Sequence, residues 1–71
     1  MRIFSSFFEH DRKDDTTARI YLYRRSGNRY KIETVVLNMF GDKITETCEY
    51  AHTKSQAEYI FVGAIQKELT L

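Results

Sequence analysis

The stretch Arg19–Ile32, RIYLYRRSGNRYKI, constrains this chain most. Two runs rich in aromatic and β-branched residues flank Ser26, Gly27 and Asn28. Gly and Asn tolerate positive φ and close tight turns, so the stretch reads as a β-hairpin. An antiparallel sheet is therefore the framework into which the remaining residues must fit. Loop length sets its register, and a one-residue change alters every cross-strand pairing. A two-residue Gly27-Asn28 loop places Tyr23 opposite Ile32 and Tyr21 opposite Thr34, which puts the tyrosines in the core. A three-residue loop places Leu22 opposite Ile32 and Ile20 opposite Thr34, which turns Tyr21 and Tyr23 to solvent beside Lys31 and Glu33. The shorter loop is the commoner local motif. The longer one separates apolar from charged positions more cleanly, as a one-sided sheet requires. We adopt the longer loop, with the shorter register still open.

Three further segments complete the expected order. Ile3, Phe4, Phe7 and Phe8 recur at i, i+1, i+4 and i+5, which predicts a short N-terminal helix. The polar run DRKDDTT follows as a loop whose Asp and Thr side chains compete for local backbone hydrogen bonds. After the second strand, RYKIETVVLNMF, Gly41-Asp42 predicts a turn. KITETCEY predicts a third strand, with Ile44, Cys48 and Tyr50 facing inward and Thr45, Thr47 and Glu49 outward. Glu46 interrupts the apolar side, which marks an edge strand. Thr53 with Gln56 forms a capping box, and Ser55 with Glu58 offers a second frame. Ala57, Ile60, Phe61, Ala64, Ile65 and Leu69 then follow helical spacing. The expected fold is α+β: a three-stranded antiparallel sheet with a short N-terminal and a longer C-terminal helix packed on one face, α-β-β-β-α. Its core comprises Ile20, Leu22, Tyr30, Ile32, Val36, Ile44, Cys48 and Tyr50 under Phe4, Phe8, Ile60, Phe61, Ala64 and Ile65.

The 71 residues suit a single domain, 1–71, near the lower size limit for folding without staples. One cysteine excludes an internal disulfide, and no Cys/His ligand set replaces it. Five Phe and five Tyr must therefore supply much of the buried area. The lone thiol, the lack of an h-region and the lack of a long apolar run favour a cytoplasmic protein that does not enter the membrane.

The order α-β-β-β-α, with TKSQAEYIFVGAIQKEL after the last strand, resembles the double-stranded-RNA-binding domain. Lys54 and Ala57 occupy plausible family positions, and Ala64-Ile65 looks like its later helix seam. The resemblance implies the two-helix topology. It departs at Ser55 and Glu58, where further lysines are expected, and at SGNR, which lacks the family's Pro and His. The last fifty residues are also similar to the three-strand-plus-helix arm-binding domains of integrases.

No complete catalytic motif is visible. Cys48 and His52 are near in sequence, but a mid-strand cysteine on the apolar side reads as a small hydrophobe. Glu9-His10-Asp11 reads as polar residues at an element end. We therefore expect no enzyme, no cofactor and no metal. Net charge is +1, yet all charged residues from Ala18 to Lys31 are basic, and the rest of the chain is net acidic. The candidate partner-binding residues are Arg19, Tyr21, Tyr23, Arg24, Arg25, Arg29, Lys31 and Lys54. A second stripe on the helix adds Tyr59 and Val62, with Gly63 beside them. The expected function is a small protein-binding adaptor, subunit or inhibitor, of a kind common in phages and mobile elements. Its partner would present an acidic surface, and a homodimer fits the helix stripe. The alternative is nucleic-acid binding through the hairpin, residues 19–31, and the start of the C-terminal helix.

Overall fold

The computed structural model describes residues 3–27 and 29–70, with side chains from residue 6. Four strands run in sequence order as an antiparallel meander: β1 (Ile3–Asp11), β2 (Thr17–Arg25), β3 (Arg29–Leu37) and β4 (Lys43–Ala51). One helix, α1 (Lys54–Leu69), follows and packs chiefly on β2 and β3. The result is a slab measuring 38 × 26 × 15 Å, with the helix on one face of the sheet and, among the described residues, no element on the other.

The expected three-stranded sheet and N-terminal helix are corrected here. Residues 3–11 are a fourth strand, paired with β2 from Ile3↔Arg24 to Asp11↔Thr17. The spacing that mimicked a helix arises from a β-bulge between Phe4 and Ser6. One extra residue resets the two-residue alternation, so apolar positions at i, i+1, i+4 and i+5 fit a bulged strand as well as a helical turn. The two-helix topology implied by the RNA-binding resemblance loses its first element with this change. The side chain of Phe4, expected in the core, lies outside the described residues.

The β2–β3 hairpin has the three-residue loop. Leu22 pairs with Ile32, Ile20 with Thr34, Tyr23 with Lys31 and Tyr21 with Glu33. Gly27 takes φ +75°, the left-handed conformation that glycine adopts without a Cβ clash. The β1–β2 loop is closed by Asp14, whose carboxylate accepts hydrogen bonds from Thr16 N at 3.1 Å and Thr16 Oγ1 at 2.5 Å. The next turn begins earlier than Gly41-Asp42. Asn38 Oδ1 accepts from the amides of Phe40 and Asp42, so β3 stops at Leu37 and Met39 and Phe40 stand exposed in the loop.

The core is small. Ile20, Leu22, Ile32, Ala51 and Ala57 are buried, flanked by Phe8, Tyr30, Ile60, Phe61, Ala64 and Ile65. Thr53 caps α1, its hydroxyl accepting from Gln56 N at 3.2 Å. The Gln56 carboxamide accepts from the His52 amide at 3.4 Å, one residue short of a closed capping box. Three core assignments change, and so does the end of the helical stripe. On β4, Thr45, Thr47 and Glu49 share the helix side with buried Ala51, so Ile44, Cys48 and Tyr50 leave the core and lie exposed. On α1, Glu68 rather than Leu69 continues the buried stripe, and Leu69 is exposed.

Candidate interface on the uncovered sheet face

The uncovered face is built from cross-strand rows. One row sets Tyr23 beside Lys31 and Lys31 beside Tyr50; the next sets Phe7, Tyr21, Glu33 and Cys48 side by side; a third sets Glu9, Arg19, Val35 and Glu46. Tyr21 and Tyr23 stack at 5.6 Å between centroids with planes 14° apart, and Phe7 tilts against Tyr21 at 5.2 Å. Aromatic pairs in this range contribute about 0.5–1.5 kcal/mol beyond area burial. They also cover the middle of the face. Lys31 and Val35 are only 7 % exposed although no second layer covers them.

Most charges on this face are compensated locally. Lys31 Nζ lies 3.1 Å from Glu33 Oε2, and Arg19 Nε lies 3.8 Å from Glu9 Oε1. Lys43 bonds Glu46, which raises the ammonium pKa. The hairpin tip differs. Arg25 stands opposite Arg29 across the turn and lies over the Tyr50 ring at 5.8 Å. Arg24, Arg25 and Arg29 make no ion pair among the described residues. Two like charges directly opposed disfavour each other, so an incoming anionic group would relieve the tip.

The candidate residues fall in three places. Arg19, Tyr21, Tyr23, Arg25, Arg29 and Lys31 share the uncovered face. Arg24 and Lys54 lie on the helix side, lining a cavity of about 300 Å³ with Ser6, Leu22, Tyr30 and Glu58; Lys54 Nζ is 4.0 Å from Glu58 Oε1. Tyr59 and Val62 are exposed on the helix, and Tyr59 borders a groove of about 450 Å³ between α1 and β4. Sequence reasoning missed Phe7 and Tyr50 as members of the open face. The bulge hid the parity of Phe7, and an apolar alternation misplaced Tyr50.

Two clusters have ligand-like composition. Glu33, Glu46 and Cys48 bring their ligand atoms within 4.8 Å of one another. Lys31 and Lys43 already neutralise the two carboxylates, and Cys48 Sγ lies 3.9 Å from Glu33 Oε2, so the group forms a charge network. At the other end, Arg12 grips Glu68 at 2.8 and 2.7 Å, and His10 Nδ1 lies 2.8 Å from the same carboxylate. The Arg12 hydrogen bond is the main cause that holds the Glu68 pKa below its ordinary value.

Comparisons of the chain with protein-family profiles, curated proteins and solved structures return no match. No helix among the described residues is long and apolar enough to cross a membrane.

Proposed function

We propose that this chain is a small non-enzymatic protein-binding module, an adaptor, subunit or inhibitor, whose uncovered sheet face docks an acidic partner surface. The observation that carries this reading is the Phe7–Tyr21–Tyr23 cluster on a bare sheet face, with Arg25 over Tyr50 and, among the described residues, no acid paired to the hairpin tip. Tyr and Arg are the residue types in which interface binding energy concentrates. Rigid, mutually stacked tyrosines lose little side-chain freedom when a partner arrives.

Nucleic-acid binding is the second reading, favoured by the three tip arginines. Two features weigh against it. Glu9, Glu33 and Glu46 interrupt the positive charge along the face. Tyr21 and Tyr23 stack on each other, which occupies ring surface that single-strand binders use for bases.

Affinity capture from the native host lysate, with and without nuclease, separates the two. We expect a protein to be retained after nuclease treatment. Capture that vanishes with nuclease, joined to direct RNA or DNA binding that falls steeply as salt rises, would overturn the protein-binding reading.

A further inference from the structure

We propose that β4 pairs antiparallel with β4 of a second copy, about a two-fold axis through Cys48, joining two four-stranded sheets into one. The pairing shares Arg25 with the acidic-partner reading and is tested separately, by self-association of the chain alone.

β4 is bonded to a strand on one side only, and from Lys43 to Tyr50 every residue is exposed, on both faces. In an antiparallel ladder alternate residues turn their N–H and C=O groups to the outer edge, a template for another strand. The other edge, β1, begins with a bulge between Phe4 and Ser6. β4 is bulged only at its start, between its pairings to Val36 and Leu37, and runs regularly from Thr45 to Ala51.

Symmetry and charge select the register. A two-fold perpendicular to the joined sheet keeps each face on its own side, so opposed residues share parity and the axis passes through a residue. An axis at Glu46 or Glu49 sets like carboxylates directly opposite, which is unfavourable. An axis at Thr47 draws the bulged start into the ladder. An axis at Cys48 uses the regular length Thr45–Ala51 in full.

That register is complementary on both faces. On the helix side, Thr47 meets Glu49 of the second copy, hydroxyl to carboxylate. These are the two β4 residues bordering the groove beneath Tyr59, so the two grooves share one floor. On the other side, Glu46 of the second copy arrives beside Tyr50, where Arg25 lies over the ring without an acid partner among the described residues. Arg25 then shares that carboxylate with Lys43, which already bonds Glu46 within its own chain.

Sedimentation velocity over a concentration series, under reducing conditions, tests this with two variants that add the same charge one residue apart. The wild-type protein should dimerise. Cys48→Lys places two ammonium groups opposite each other and should raise the dimer dissociation constant roughly tenfold or more. Thr47→Lys faces Glu49 of the second copy and should keep the dimer or tighten it. Both positions are exposed, and circular dichroism verifies that each variant is folded. A wild-type monomer at every concentration, an undiminished Cys48→Lys dimer, or a dissociated Thr47→Lys protein would each overturn the proposal.

Discussion

Glu68 shows how one residue's place can run against its chemistry. It occupies the buried stripe of α1 in the last helical turn, where a negative charge opposes the helix dipole. The paired Arg12 hydrogen bonds and the His10 contact offset that cost. Spacing alone favoured Leu69 because it is apolar. The winner was decided by two β1-side residues whose proximity no local pattern could reveal. Replacing Glu68 with Gln should cost on the order of 1–2 kcal/mol at neutral pH, measured by denaturant unfolding, because charged hydrogen bonds are lost. The folded pKa of Glu68 is depressed, so its contribution is present in full above the ordinary value of 4.5 and disappears as pH falls through the folded value. The stability gap between wild type and Glu68→Gln should therefore close below about pH 4.5. A gap that persists at lower pH would mean that packing, rather than charge, holds the residue.

Among the elements, the hairpin and the C-terminal helix were legible because their signals are local. Turn residues punctuate the hairpin, and Thr53 caps a segment with sustained apolar spacing. β1 was misread as a helix, whereas β4 was recognised as an edge strand but with its two faces exchanged. In β1 a single bulge converted a strand pattern into an apparent helical one. In β4 the apolar alternation carried no information, because α1 packs on β2 and β3 and leaves both faces of the edge strand in water. Its register follows from Ala51, which must be buried opposite Tyr30 so that the chain can turn into the helix. Gly63 is the remaining anomaly of α1. A Cβ there meets nothing within 4 Å, so no close backbone contact within the chain explains the glycine. Gly63→Ala should raise stability by about 0.5–1 kcal/mol through helix propensity, read as a shift of the denaturant midpoint. A loss of stability would show that the added methyl is opposed by a neighbour in the groove between α1 and β4, which Gly63 also lines.

Taken whole, the molecule is a two-layer structure with half of its sheet surface left bare. The short chain folds because one helix covers the central strands with small residues, Ala57 and Ala64, that allow close approach. It leaves a face on which tyrosines shield a Lys31–Glu33 ion pair and arginines gather at one corner. The basic hairpin was visible in the sequence. The three-residue register already set Arg19 and Arg25 on the face away from the core; what it did not reveal is that Arg29 joins them while Lys54 lies with Arg24 on the helix side. That division gives the central claim its most direct test. The affinity of the captured partner should be compared for wild type, Arg25→Glu and Lys54→Glu, which change charge equally on opposite faces. Binding through the uncovered face predicts a loss of about tenfold or more for Arg25→Glu and a change within about twofold for Lys54→Glu. Equal losses in both variants, or full affinity in Arg25→Glu, would contradict it.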